Sequence, residues 1–408
     1  MRISILLLTY LFINPLFAQD GPELHKVKVD VVYLASDYLE GRGTGTKGET
    51  LAGEYIVNRF KEIGLEAGGE NGSWYQEFPF KLLSNPHLRN SKPLKEGDGK
   101  NVLGYLNNDA PYTVVIGAHY DHLGMGETGS RHTGEAAIHN GADDNASGVA
   151  SMLLLAERLK NKILKKYNYL FIGFSGEEMG LYGSKYFVNN PTIPLESIDA
   201  LLNMDMIGRL NEEKVLSVNG VGSSPALKEI VKNVAVHGIQ TVTTESGIGP
   251  SDHASFYLRD VPVLHFFTGQ HLDYHKPADD SHLVNMEGVI QVSDFIMAVI
   301  EGLDKREKIA FTLAKEAPKR EVSAFNVTLG VMPDYVYAGK GMRIDAVLDN
   351  RPAKKGGLQN GDVIIKLGET EVKDIYAYME ALAKFNQGET ATVVVLRKGK
   401  KVKKKVVF

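Results

Sequence analysis

Five side chains in this sequence, His119, Asp143, Glu178, Asp205 and His275, are of the types that hold divalent metals. Each sits in a short motif of the kind that closes a buried strand: GAHYDHLG, NGADDNASG, FSGEEMGLYGS, LLNMDMIG and YHKPADD. Two imidazoles and three carboxylates, with no sulfur, suit zinc best, with cobalt or manganese as substitutes. The count of donors is that of a pair of ions rather than one. Two metals roughly 3.5–4 Å apart polarise a carbonyl and lower the pKa of a shared water, and peptide hydrolysis needs both.

The neighbours of these residues add the rest of a hydrolytic site. Glu177 and Glu178 are adjacent and point in different directions, so one can bind metal while the other shuttles a proton. Two acids also open helices for electrostatic reasons alone, but here they follow an apolar strand and are flanked by Ser-Gly and Met-Gly. Asp121 lies two residues from His119, where its carboxylate would accept the second imidazole N–H and fix the ring. His122 is the rival ligand; on a continuing strand it would leave the opposite face, which favours His119. Asp279 would serve His275 in the same way, with Asp280 as competitor. Met206 and Phe256 are expected as walls of an apolar pocket, and His253 as a structural or substrate-contacting residue. His132, His139, His265, His271 and His282 have no partner at ligand spacing.

The five motifs, in this order from about Leu34 to Leu303, resemble the di-zinc aminopeptidase family, the exopeptidases related to bacterial leucine aminopeptidase and glutamate carboxypeptidase. The resemblance implies a zinc held by His119 and Asp205, a second held by Glu178 and His275, and Asp143 bridging both. It implies Glu177 as general base and acid, Asp121 as the group orienting His119, and a cis bond between Asp143 and Asp144. Some relatives use a tyrosine immediately before the last histidine to stabilise the oxyanion, which points to Tyr274. The implied activity is removal of N-terminal residues from peptides. Carboxypeptidase action or glutaminyl cyclisation on the same scaffold are the alternatives, together with an inactive peptide-binding protein.

The positioning elements follow from hydrophobic periodicity. Strands are expected at Val102–Leu106, Tyr112–Ala118, Tyr169–Phe174, Ala200–Met206 and Val263–Phe267. Helices are expected near Ser147–Leu159, Tyr182–Val188, Pro225–Val236 and Met286–Glu301, after two earlier ones reaching from Glu23 to Leu39 and from Leu51 to Ile63. This alternation predicts an α/β three-layer sandwich around a mostly parallel central sheet, with ligands gathered at the carboxyl ends of its strands. The GRGTGT segment lacks the lysine-serine ending of a phosphate loop and reads as a turn. Between the second helix and the first catalytic strand, 71–100 is too short for an inserted domain, so a lid must come from loops or from elsewhere.

The expected organisation is a signal peptide at 1–18, a peptidase domain at 20–304, a linker at 305–322 and a small β-rich domain at 323–408. The last resembles a PDZ domain of the bacterial protease type through TLGVM, RPAKKGGLQNGDVIIKLGETEV and the helix Ile375–Lys384. That resemblance implies a peptide C-terminus bound near Leu329 and Gly330, with the peptide added as a β-strand; a domain that merely packs against the peptidase is the alternative.

With 408 residues, 43% hydrophobic and 24% charged, the composition is that of a globular protein, and a net charge of −4 offers nucleic acid no partner. Arg2, the apolar run to Phe17 and Ala18-Gln19-Asp20 predict export with cleavage near Ala18. The chain has no cysteine, so it forms no disulfide and carries no lipidated cysteine. A periplasmic or secreted protein without a stable membrane anchor is expected. Its basic end, RKGKKVKKK, is expected to decorate an edge strand.

Overall fold

Alternation along the central strands decides which helix covers which face. The computed structural model describes residues 21–83, 93–162, 164–314, 327–334, 337, 339–347 and 351–408. The expected signal peptide at 1–18 lies outside these residues, as does the linker from 315 onward. In chain order the large unit runs α1 (Pro22–Leu34), α2 (Lys47–Ile63), β1 (Glu66–Ala67), β2 (Tyr75–Leu83), β3 (Pro93–Leu106), β4 (Tyr112–His119), α3 (Gly148–Asn161) and β5 (Tyr167–Phe174). It continues with α4 (Tyr182–Asn189), β6 (Ile198–Met204), β7 (Val215–Asn219), α5 (Pro225–Asn233), β8 (Gln240–Thr244), α6 (His253–Tyr257), β9 (Val263–Phe267) and α7 (Met286–Leu303).

The nine-stranded sheet has the order β1-β3-β5-β4-β6-β9-β7-β8, with β2 paired to β3. Its centre is parallel: β5 with β4, β4 with β6, and β6 with β9. Antiparallel strands flank it on both sides. On β5, Tyr167, Tyr169 and Phe171 enter one core while Leu170, Ile172 and Phe174 enter the other. The first core is closed by α1, α2, α3, α5 and α7, the second by α4 and α6. Both faces are apolar because both are covered, as parallel sheets require. This is the three-layer arrangement that the alternation of elements predicts.

Three local features differ from the expectation. Within 71–100, a segment given no element from the sequence, residues 75–83 of β2 pair antiparallel with residues 93–102 of β3. Leu39 lies beyond the end of α1 but is still fully buried, and α2 crosses so close to it that a side chain on Gly48 would collide with the Leu39 carbonyl. Residues 305–314, expected as linker, pack on the large unit: Ile309 donates its N–H to Asp199 Oδ1 at 3.0 Å, and Thr312 its N–H to the Ser223 carbonyl at 2.8 Å.

The second sheet is antiparallel throughout, in the order β10 (Val331–Pro333), β11 (Met342–Val347), β12 (Val363–Leu367), β14 (Thr390–Arg397), β15 (Lys400–Val407), with β13 (Thr370–Glu371) paired to β12. Helices α8 (Pro352–Lys355) and α9 (Ile375–Leu382) belong to the same unit. Its own core joins Leu329, Ile344, Ile364, Val393 and Val395 to Ala381 and Leu382 of α9. Lys398 and Gly399, both at positive φ, make the tight β14–β15 turn, and Lys401, Lys403 and Lys405 are exposed along the edge strand.

Helix α2 starts with a capping arrangement that ties it to the catalytic strand ends. Thr46 Oγ1 accepts the Glu49 N–H, and Glu49 Oε2 accepts the Gly45 N–H at 2.6 Å. The same buried carboxyl accepts the Ser175 hydroxyl, two residues before Glu177. Burial, and then the nearby Asp121 charge, push the Glu49 carboxyl up to about 8. The folded chain therefore holds this proton more tightly than the unfolded one. The stability it contributes is fully present below about pH 4.5 and is lost as pH rises through about 8. Glu49→Gln has no titrating group, can still accept the Gly45 N–H through its oxygen and can donate its amide N–H to the Ser175 hydroxyl oxygen, so wild-type stability should fall by several kcal/mol relative to the variant across that window, as read by denaturant unfolding.

Candidate metal centre

The carboxyl ends of four neighbouring parallel strands deliver most of the cluster. His119 ends β4 and lies in register with Phe174, which ends β5; Glu177 and Glu178 follow three and four residues later. Asp205 follows β6 directly, and its N–H donates to the carbonyl of Phe266 on β9. The turn at 142–147 leads into α3 and brings Asp144 between these ends. His275 arrives on the loop after β9, at a φ of +57°.

The donors converge around Asp144. Its Oδ1 lies 3.2 Å from His119 Nε2, and its Oδ2 lies 3.2 Å from His275 Nε2. Asp205 Oδ1 is 3.4 Å from the same His119 nitrogen, and Glu178 Oε2 is 3.1 Å from the same His275 nitrogen. Donor atoms of His119, Asp144 and Asp205 all lie within 4.8 Å of one another, as do those of His122, Asp144 and Glu178. The expected residues His119, Glu178, Asp205 and His275 are thus brought together. Asp143 is not among them.

The Asp143 assignment is corrected by its contacts. Its Oδ1 accepts the Gly208 N–H at 2.6 Å and the Ser147 hydroxyl at 3.1 Å, while Oδ2 faces His271 Nε2 at 3.2 Å. Its carboxylate is spent on the layer behind the cluster. The cis peptide bond is likewise one residue further along, between Asp144 and Asn145. Adjacent residues in an irregular turn diverge, so the second acid and not the first faces the other donors. Asn145 locks the arrangement: its Nδ2–H donates to the Met204 carbonyl at 2.9 Å, and its Oδ1 accepts the Met206 N–H at 3.2 Å.

The surrounding groups also depart from expectation. His119 Nδ1 lies 3.1 Å from the Asp121 backbone carbonyl and 3.8 Å from its carboxylate. The Asp121 carboxylate instead accepts the Thr44 hydroxyl at 2.8 Å and the Glu177 N–H at 3.1 Å, so it positions Glu177. Asp279 does not orient His275; its Oδ2 accepts the N–H groups of Asp143 and Asp144, each at 3.0 Å, while Oδ1 is paired with Arg209. Asp280 accepts from Asn140. The Nδ1–H of His275 donates to the Gly129 carbonyl at 2.9 Å, and the Arg131 N–H returns a bond to the His275 carbonyl. Tyr274 stacks on His275 with ring centroids 3.8 Å apart, under the Arg131 guanidinium. Phe256 is fully buried between Phe174 and Phe187 in the core, and Met206 is nearly as buried. His253 stacks on His265 in the interior, 4.4 Å apart.

Three contributors escape a reading of residue types. His122 turns inward because the chain leaves strand geometry after His119, and its Nδ1 lies 2.7 Å from Glu178 Oε1. His271 backs Asp143. Arg42, buried at a φ of +49°, donates to the carbonyls of Leu34, Tyr120, Asn140 and Gly141, clamping the two segments that lead to His119 and Asp144. Burial pulls its guanidinium down to about 10, against the support of Asp121 and Asp144. Its place within the glycine-rich GRGTGT turn was the one signal the sequence carried for it.

The electrostatics favour added positive charge. Among the described residues no lysine or arginine forms an ion pair with Asp144, Glu178 or Asp205. Burial opposes the His275 imidazolium, yet Asp144 and Glu178 hold it up to about 10. Burial likewise opposes His119, and Asp205 and Glu177 raise it well above the usual range. Desolvation pushes the Glu177 carboxyl up, with Glu178, Asp205 and Asp252 adding to the effect and His119 opposing it. His122 Nε2 is buried without a hydrogen-bond partner. Oxygen and imidazole donors on both sides of one carboxylate fit a pair of zinc ions.

An α/β sheet with this cluster at its parallel strand ends defines a metallo-exopeptidase fold. Residues 101–300 match Peptidase family M28 and residues 309–407 match the PDZ domain family. The chain carries a Peptidase family M28 domain followed by a C-terminal PDZ domain. It is 26% identical over 253 residues to the alkaline phosphatase isozyme conversion protein of Escherichia coli, covering 60% of this chain and 70% of that protein. It is 28% identical over 239 residues to the aminopeptidase YwaD of Bacillus subtilis, covering 55% of this chain but 49% of that protein, about half its length. The structure of BSAP, a zinc aminopeptidase from Bacillus subtilis, superposes with a TM-score of 0.54 at 17% identity, covering 71% of this chain and 97% of that one, a likeness of fold.

The two adjacent acids make a direct test. Asp144→Asn is expected to lose both equivalents of zinc, measured by elemental analysis after dialysis. Asp143→Asn should keep both, with affinity weakened about 10–100-fold in chelator competition, because it only supports the turn.

Proposed function

We propose that the chain is a zinc-dependent aminopeptidase in which Asp144 is shared by two zinc ions, His119 and Asp205 complete one site, and Glu178 and His275 complete the other. The observation that carries this reading is one buried carboxylate with an imidazole nitrogen 3.2 Å from each of its oxygens. His122 holds Glu178 in place through its other carboxylate oxygen. Bound zinc would supply Lewis-acid assistance to the scissile carbonyl and lower the pKa of the attacking water.

The chain's own residues do the remainder. Glu177 takes the proton of the attacking water and returns it to the departing amine. Desolvation and the nearby acids push its carboxyl up, and the positive charge of bound zinc would oppose them. The Asp121 carboxylate anchors the Glu177 backbone, and a glycine at positive φ on one side, Gly176, lets the strand turn sharply enough to present both glutamates. Tyr274 lies beside His275 and would donate its phenol to the oxyanion; burial and then Asp144 keep that phenol protonated.

Glutaminyl cyclisation is the second reading on this scaffold, and the complete donor set on both sides of Asp144 favours hydrolysis over it. Carboxypeptidase action stays separable by substrate panel. The PDZ domain would take a peptide C-terminus at the Leu329-Gly330 turn. Gly330 is at a φ of +70°, Leu329 is buried beneath it, and β10 pairs with β11 alone among the described residues, which supports strand addition. The Gly330 N–H itself is engaged by Thr328 Oγ1 at 3.0 Å. Export to the periplasm or beyond is part of the proposal, on the apolar start of the sequence. Among the described residues no helix is long and apolar enough to cross a membrane.

Aminoacyl-anilides and N-blocked dipeptides assayed with and without chelator test the reaction: the anilides should be cleaved, the blocked peptides spared, and chelator should stop turnover. Glu177→Gln should lower kcat by about 10²–10⁴-fold while zinc content stays at wild-type level. Full turnover in that variant would remove Glu177 from the mechanism.

A further inference from the structure

The C-terminal unit differs in charge from the rest of the chain. Residues 327–408 hold fifteen lysines and arginines against nine acids, in a chain whose net charge is −4, so the remainder is acidic. Much of the excess falls on β15 and the turn before it, as Lys398, Lys400, Lys401, Lys403, Lys404 and Lys405. Among the described residues none of these six forms an ion pair. The neighbouring arginine is spent elsewhere. Arg397 holds the buried Asp362 through two bonds, of 2.8 and 2.7 Å, and donates to the Gly357 carbonyl at 2.9 Å.

Pairing with β14 sorts these lysines by face. Ala391, Val393 and Val395 of β14 and Val406 of β15 enter the core. The alternate residues therefore share the opposite face. There the register sets Lys401 beside Leu396, Lys403 beside Val394 and Lys405 beside Thr392. Lys366 of β12 meets Val394 from the other side, and the exposed Val407 continues the lysine row. The result is a half-buried aliphatic strip beside ammonium groups whose stems leave the strand about 7 Å apart. Helix α8, with Lys354 and Lys355 exposed, lies so close to β15 that a side chain on Gly356 would meet the Lys405 carbonyl. Edge protection accounts for lysines on β15, but not for those on α8 or for the aliphatic strip.

We propose that this face of the C-terminal unit docks reversibly on an anionic phospholipid surface. The inference is independent of the peptidase reading. Clusters of about four to eight basic residues recognise such surfaces, each contributing about a fivefold gain in partitioning near the head groups. Lysine stems can lie along the aliphatic strip while their heads reach the phosphates. A nucleic acid fits less well, because the face offers no free arginine fork to read bases and no aromatic ring to stack on them. Topology keeps the peptide edge clear, since β15 and β10 stand at opposite ends of the sheet order. The acidic remainder of the chain is repelled by the same surface, so docking turns the large unit away from the lipid.

The test is co-sedimentation of the full-length zinc-loaded chain with vesicles of phosphatidylcholine, alone or with about one third phosphatidylglycerol. Binding is expected to the anionic vesicles only, and it should weaken as salt rises from about 0.05 to about 0.5 M. The triple variant Lys401→Gln, Lys403→Gln, Lys405→Gln should lower partitioning by about 100-fold, while arginine at the same three positions should keep it within about twofold. The same charge removed from the large unit, by Lys61→Gln, Lys228→Gln and Lys232→Gln, should also leave it within about twofold, because distant charges are screened. Wild-type circular dichroism and thermal unfolding identify the folded variants. Equal binding to neutral vesicles, no binding to anionic ones at low salt, or folded variants that depart from this ranking would overturn the proposal. Displacement by free glycerol phosphate at equal phosphate concentration would overturn it in favour of a single head-group site. Tighter binding to mixed-sequence duplex DNA than to the vesicles would overturn it in favour of a nucleic-acid face.

Discussion

Everything around the centre serves to hold one buried carboxylate, Asp144, in place. Such a group is expensive to bury without partners. Here the cost is met by imidazoles on both sides, by a buried guanidinium in the layer behind, and by oxygen donors placed for cations. The parallel strands β4, β5, β6 and β9 point their carboxyl ends at it, and the turn into α3 is pinned from several directions. Asp279 receives two of its N–H groups, and Asn145 ties it to the end of β6.

That second layer explains why the site is rigid enough to be catalytic. Arg42 spans two ligand-bearing segments through backbone carbonyls, so its contribution is to geometry and not to charge alone. Asp121 anchors Glu177 by its backbone and leaves the carboxylate side chain free. His275 is the least enclosed of the donors and depends on the Gly129 carbonyl for its orientation.

Much of this was legible in the residues. Continuous apolar runs marked the central strands, and strand ends carrying His119, Glu177-Glu178 and Asp205 could be recognised from their abrupt change to polar and glycine residues. What was not legible depended on backbone conformation. Nothing in the type of Asp143 or Asp144 says which faces inward, since that is set by φ and ψ in an irregular turn. His122 looked excluded only on the assumption of a continuing strand. Strand β2 and the first part of β3 were not read because their residues are mixed in polarity and they are held by pairing with each other rather than by a buried face. Asp279 was placed near His275 by sequence proximity, whereas space gave it the Asp143–Asp144 backbone.

The donors stretch from His119 to His275, and no two strand ends that carry them are joined by a short local turn. An unfolded chain consequently offers cations only scattered single side chains. Ions that bind the assembled cage and not its fragments pull the folding equilibrium by mass action. For this protein metal supply would act as a thermodynamic ballast for the whole sheet, and starvation for metal would be felt first as loss of cooperativity in the large unit, while the separate core of the C-terminal sheet would be indifferent to it.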